Sequence, residues 1–359
     1  MALKAGSTIG ILGGGQLGRM LAMAAAKLGY RTAIFDPDPN SPAAQVANDH
    51  VVASYNDQAA LERFARRCAV VTYEFENVPV EAARVIDAIT PVRPGPQALE
   101  AAQDRLAEKT FLNNAGIETA PFRAVDSDGE LAEALAEFGG NGVLKTRRLG
   151  YDGKGQRVFR SAGPEQCAGV FQSFGGKPLI LEGLVPFERE ISVIAARCED
   201  GQVSVFDPAE NVHRDGILHT STVPASCRPA TAKAAIDAAT AILNSLSYAG
   251  VIGVEFFALA DGSLLANEIA PRVHNSGHWT EAACAVSQFD QHIRAIAGLT
   301  LGDGRRHSDC VMENLIGDQI GRIEKLAGEA GVVVHHYGKT EARPGRKMGH
   351  FTRLFAKTN

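Results

Sequence analysis

The chain has 359 residues, 45% hydrophobic and 21% charged, with a formal net charge of −5 at pH 7. That balance fits a soluble globular protein of two or three domains with ample core. It offers no global basic field to nucleic acid or an anionic membrane, and no apolar run reaches the roughly 18 residues of a membrane span. Any anionic ligand must therefore be held by a local site.

The first hundred residues alternate strand and helix patterns. Thr8–Leu12, Arg31–Phe35, His50–Ala53 and Ala69–Tyr73 read as strands. Gln16–Leu28 and Gln58–Arg67 read as helices between them, an alternation that predicts a parallel sheet with helices on its faces. The start at Thr8 leaves no room for a signal peptide. Thr90–Pro96 is a breaker-rich boundary. A helix over Gln103–Asn114, closed by Gly116, follows it. Gly142–Thr146, Leu179–Glu182 and Glu190–Arg197 read as strands, and Thr231–Leu246 as a long helix. Residues 297–359 form a smaller third region with a strand at Val332–Tyr337. Cys68, Cys167, Cys198, Cys227, Cys284 and Cys310 are scattered without a Cys-x-x-Cys pair. That pattern fits reduced thiols better than a disulfide frame or zinc site, and a cytoplasmic location is expected.

Chemistry gathers at six places. Gly13-Gly14-Gly15-Gln16-Leu17-Gly18 follows a strand and opens a helix. It suits a dinucleotide, another small ligand in the same crevice, or a structural turn. Arg147–Gln156 carries three glycines and flanking cations between two strands, a loop whose amides can wrap phosphates. Lys145 ends the preceding apolar strand, where an unpaired lysine is rarely buried, and Arg105 opens a helix whose positive end it should avoid. Leu179–Glu190 is a strand, a bend and a second strand, able to present backbone groups beside an apolar wall. Asp261-Gly262 between apolar runs predicts a two-residue hairpin loop. Ala260 then faces Ser263 and, counting outward, Glu255 faces Glu268. Two carboxylates about 4.5–5.5 Å apart at Cβ repel unless a hard divalent cation such as Mg²⁺ lies between them. By strand alternation Asn267 points away from Glu268 unless the strand bulges. Arg272, His274, Asn275 and His278 follow as a polar binding loop. Lys339 and Arg343–His350 concentrate positive charge near the end of an acidic chain.

Together these residues resemble the ATP-grasp superfamily, and within it the N5-carboxyaminoimidazole ribonucleotide synthetases. The resemblance runs from Gly13–Met20 to Arg343–Lys347. Gly150–Gln156, Asn211–Ile217 and Asn267–Thr280 carry most of its specificity. It implies an α/β, ATP-grasp architecture: an N-terminal Rossmann-like domain (1–100), a central ATP-grasp domain (101–296) and a small C-terminal α+β domain (297–359). It implies that ATP is held by Arg105, Lys145, Gly150, Tyr151, Asp152, Gly153, Lys154, Gly155, Gln156, Glu182, Gly183, Leu184, Val185, Glu190, His213, Asn267 and Glu268. Mg²⁺ would lie on Glu255 and Glu268, and bicarbonate or CO₂ among Arg272, His274 and Asn275. Gln16, Leu17, Glu74, Glu76, Tyr151, Lys154, Lys339 and Arg346 would meet 5-aminoimidazole ribonucleotide. Where many superfamily members place an asparagine two residues after the second metal carboxylate, this chain has Ala270. The implied activity is ATP-dependent carboxylation of the ribonucleotide's exocyclic amine by a homodimer. A ligase for another amine and a nicotinamide-dependent dehydrogenase are the alternatives.

Overall fold

The computed structural model describes residues 2–150 and 155–358. The N-terminal region is a parallel sheet of β1 (Thr8–Leu12), β2 (Arg31–Phe35), β3 (Asp49–Val51) and β4 (Val70–Tyr73), ordered β3-β2-β1-β4. The helix Gln16–Lys27 packs on it because Leu17, Met20, Leu21, Ala24 and Ala25 recur at helical spacing, and all five are buried. Burying Met20 and Leu21 alone contributes roughly 1.5–3 kcal/mol each.

The helix expected over Gln103–Asn114 starts at Arg105, and a second helix, Pro96–Gln103, precedes it. Asp104 breaks the run. It adopts an extended conformation, and its carboxylate accepts from Leu106 N at 2.9 Å and Ala107 N at 3.3 Å, capping the second helix.

Beyond the break, β5 (Phe122–Val125), β6 (Gly142–Thr146), β7 (Gln156–Phe159) and β8 (Leu179–Gly183) form a four-stranded antiparallel sheet, ordered β5-β8-β6-β7. The helix Asp128–Glu137 shares its apolar core. A bend after Gly183 leads into the second sheet of this region. That sheet holds β9 (Arg189–Arg197), β10 (Val203–Val205), β11 (Ala209–Arg214), β12 (Ile217–Val223), β13 (Gly250–Ala258) and β14 (Leu264–Ala270). It does not stop at the third region. Strands β15 (Asp309–Ile316), β16 (Val332–His336) and β17 (Lys347–Phe355) extend it in the order β14-β13-β9-β11-β12-β15-β17-β16, with β10 beside β9. Among the described residues no helix is long and apolar enough to cross a membrane.

The β13–β14 hairpin corrects one expectation. Leu259, not Ala260, faces Ser263, with Leu259 N donating to Ser263 O at 3.0 Å. The loop is three residues long because Gly262 takes φ +91°, a left-handed conformation that closes such loops. Asp261 Oδ1 accepts from Ser263 N at 2.8 Å, and Thr231 Oγ1 donates to Gly262 O at 2.7 Å. The register near the turn is therefore Ala258–Leu264 through Phe256–Ala266. A bulge at Asn267 takes up one residue, and Glu255 faces Glu268 after all.

Candidate active site

A cleft of about 540 Å³ opens between the four-stranded sheet and the large sheet. It is walled by Arg105, Lys145, Gly150, Gly155, Gln156, Glu190, His213, Glu255, Asn267, Glu268, Arg272 and His274, with Glu76 reaching in from the N-terminal region and Lys347 from the C-terminal one. The bulge explains how Asn267 and Glu268, adjacent in sequence, both line it. Ala270 lines it too, but offers no polar side chain. Tyr151, Asp152, Gly153 and Lys154 lie outside the described residues.

On the cleft's upper wall, Lys145 Nζ donates to Glu182 Oε2 at 2.9 Å, and Lys109 Nζ lies 3.4 Å from the same oxygen. Burial alone would raise the Glu182 carboxyl. The two ammonium groups outweigh it and hold the group below the usual carboxylate range. Glu182 Oε1 is buried with no hydrogen-bond partner. Arg105 donates to Thr146 O at 3.1 Å and Gly150 O at 2.9 Å, so its awkward position at a helix start is explained by one strand-end carbonyl and one loop carbonyl. Gly183, Leu184 and Val185 line an adjoining pocket of about 690 Å³. Phe187 belongs to both spaces and stacks on Phe257 at 4.7 Å between ring centroids, an apolar wall beside the bend.

On the opposite wall, burial and the facing Glu268 push the Glu255 carboxyl up to about 7. His213 Nδ1 lies 2.9 Å from Glu190 Oε2. Burial disfavours its protonation, but Glu190 and Glu255 reverse that and raise it. Arg272 pairs with Glu76 through Nε. Burial would raise the Glu76 carboxyl, yet the guanidinium brings it down to about 2. His274 is driven to about 3 by burial, then by Arg272 and Lys347, and is neutral at ordinary pH. Gly253 lets it approach: a Cβ there would lie 2.7 Å from His274 Cβ.

Several expected residues sit elsewhere. Asn275 exchanges amide hydrogen bonds with Asn314 at 2.9 and 2.8 Å and does not line the cleft. His278 is buried against Gln288, with 3.0 Å between its Nδ1 and Gln288 Nε2. Leu17 packs in the N-terminal core. Glu74 accepts from Gly15 N at 2.8 Å and Gly18 N at 3.0 Å, and Asp36 accepts from Gly14 N at 2.7 Å. The glycine turn therefore spends the amides of Gly14, Gly15 and Gly18 on the protein's own carboxylates, where a dinucleotide pyrophosphate would need them and would meet two acidic side chains instead. Gln16 begins the helix beside that turn. Lys339 Nζ donates to Lys347 O at 2.8 Å, and Arg346 donates to Glu341 O at 3.0 Å. The sequence reading missed Glu108 and Lys109. Their signal was the helical spacing of Glu108 with Leu112, which puts a carboxylate on the buried face. Lys347 was noticed only as part of a basic stretch.

Family models match in three consecutive blocks: a ribonucleotide synthetase preATP-grasp domain over residues 6–103, an ATP-grasp domain over 110–289 and a phosphoribosylaminoimidazole carboxylase C-terminal domain over 310–359. The N5-carboxyaminoimidazole ribonucleotide synthase of Brucella melitensis is 60% identical over 357 residues, covering 99% of each chain. A crystal structure of an ADP complex of N5-carboxyaminoimidazole ribonucleotide synthetase superposes with a TM-score of 0.95 at 44% identity, over 99% of this chain and 94% of that one. The Aspergillus clavatus enzyme, solved with ADP and 5-aminoimidazole ribonucleotide, superposes with a TM-score of 0.90 at 32% identity, over 98% and 94%. With the three blocks in order around one cleft, the chain belongs to the N5-carboxyaminoimidazole ribonucleotide synthase family of ATP-grasp enzymes.

Proposed function

We propose that the cleft carries out ATP- and bicarbonate-dependent carboxylation of the exocyclic amine of 5-aminoimidazole ribonucleotide, releasing ADP and phosphate. The observation that carries this reading is the meeting, in one cleft, of a cationic wall (Arg105, Lys145) and a carboxylate wall (Glu255, Glu268) beside the Arg272–His274 corner. Bicarbonate is a poor electrophile. Transfer of the γ-phosphoryl group to it gives carboxyphosphate, whose breakdown to CO₂ and phosphate beside the amine lets the nitrogen attack carbon and lose a proton.

Lys145 and Arg105 face the nucleotide phosphates, and Phe187 with Phe257 shields the base. Arg272, held by Glu76, offers a guanidinium to bicarbonate, and neutral His274 offers one ring nitrogen as a hydrogen-bond donor and the other as an acceptor. Mg²⁺ fits the opposite wall, because its donors are carboxylate oxygens and the raised Glu255 carboxyl marks a pair lacking charge compensation. When bound, it supplies charge neutralisation for the transferring phosphoryl group. Glu76, Lys339 and Arg346, with Glu74 holding the glycine turn beside Gln16, form the side toward the ribonucleotide. A homodimer in the cytoplasm goes with this reading, and light scattering on a sizing column checks the dimer.

The test is ADP release with ATP, Mg²⁺, bicarbonate and a panel of amines. Release that requires bicarbonate and is stimulated selectively by 5-aminoimidazole ribonucleotide is expected. Release indifferent to either one rejects the reading.

A further inference from the structure

We infer that Glu108 and Lys109 are positioning residues for the metal edge of the site: together they grip the bulge at Asn267 and hold Glu268 opposite Glu255. The inference rests on the Mg²⁺ reading of those two glutamates.

Strand β14 is the terminal strand of the large sheet; its outer edge is bridged at Ala266, whose N–H donates to Glu118 O at 2.8 Å, and among the described residues no strand continues that pairing along Asn267–Ile269. A bulge adds an unpaired residue to that edge. The helix Arg105–Asn114 lies along it and supplies the missing partners. Lys109 Nζ donates to Asn267 O at 2.5 Å, and Glu108 Oε1 accepts from Ile269 N at 2.6 Å. These two bonds fall on the residues immediately before and after Glu268.

Both side chains are buried, Glu108 at 3% and Lys109 at 1% exposure. Burying a charge-bearing pair is costly unless each partner is satisfied, and an apolar helix face would have served packing alone. Lys109 also lies 3.4 Å from Glu182 Oε2, to which Lys145 donates. One ammonium therefore ties the carboxylate wall to the cationic wall. Glu108 itself reaches the cleft wall, but the two bonds of the grip are to backbone atoms, and it is through them that the pair sets where the Glu268 carboxylate starts.

The test is Mn²⁺ binding to the whole protein in the presence of ADP, read from the electron paramagnetic resonance signal of free Mn²⁺, with thermal unfolding as the check on folding. Lys109→Met keeps length without charge, and Glu108→Leu removes the acceptor. Both should weaken Mn²⁺ about tenfold or more, as loss of a ligand's support does. Glu108→Gln keeps an acceptor oxygen and should stay within about threefold of the parent. A merely structural role would lower the unfolding temperature of all three without this split. Folded Lys109→Met and Glu108→Leu with parental Mn²⁺ affinity, beside a Glu268→Gln control that loses it, would overturn the inference and leave the metal reading intact. A Glu268→Gln protein that binds Mn²⁺ like the parent would overturn both. Should Lys109→Met not fold, the contrast between Glu108→Leu and Glu108→Gln decides.

Discussion

Glu255 is a residue whose charge is costly to the free protein. Its carboxyl is raised from an ordinary value near 4.5 to about 7 by burial and by Glu268. A raised folded-state pKa favours the native state fully below the unfolded value, and that contribution is lost as pH climbs through about 7. Glu255→Gln should therefore leave the ligand-free protein little changed at pH 5 and stabilise it at pH 8, on the order of 2 kcal/mol. Thermal unfolding at the two pH values checks this, and an equal effect at both would remove the repulsion argument. The opposed glutamates came out of the Asp-Gly turn and two-residue periodicity only because the longer loop and the bulge cancel in register. Glu108 and Lys109 were not legible, because a charged pair in a helix reads as solvated until the partner strand that buries it is known.

At the scale of the element, the hairpin shows how a right pairing can come from a wrong path. A two-residue loop and an unbroken strand put Glu255 opposite Glu268. So do a three-residue loop and a bulge, and the chain uses the second route. Turn length depends on whether Gly262 takes a left-handed conformation, and the bulge depends on the helix beside it. Neither is written in the periodicity. Gly262→Ala should cost about 1–2 kcal/mol of stability, since a side chain at that φ is strained; its Cβ would also lie 3.0 Å from Thr231 Oγ1. Because the bulge lies between this turn and Glu268, the Michaelis constant for ATP should not move. A large rise in that constant would mean the turn, not the bulge, sets the pairing. Asp104 sets a boundary of the same kind: by capping Arg105–Asn114 it ends Pro96–Gln103, a helix that the pattern did not announce.

Across the whole molecule, the three regions meet at the cleft: Glu76 comes from the first, Lys145 and Glu268 from the second, Lys347 from the third. The order of elements and the α/β class were readable from alternation. The merger of the third region into the large sheet was not, because strand partners 90 residues apart leave no local trace. Arg346 and Lys339 lie on that third region and, unlike Lys145 and Arg105, do not line the cleft, which suits a second anion distinct from the ATP phosphates. Arg346→Ala should raise the Michaelis constant for the ribonucleotide roughly tenfold, the scale of a charge-assisted bond, with little change for ATP. If ATP weakens instead, those cations serve the nucleotide.

The shared sheet also has a history in synthesis. Strand β12 pairs with β11 on one side and with β15 on the other. Until residues 309–316 have left the ribosome, its outer edge stands open, a row of unpaired amides and carbonyls next to a formed sheet. Such an edge is a template for a second nascent chain. The last strands therefore act as a seal as well as a carrier of Lys347, and the interval before they arrive is when the growing chain is most in need of a chaperone.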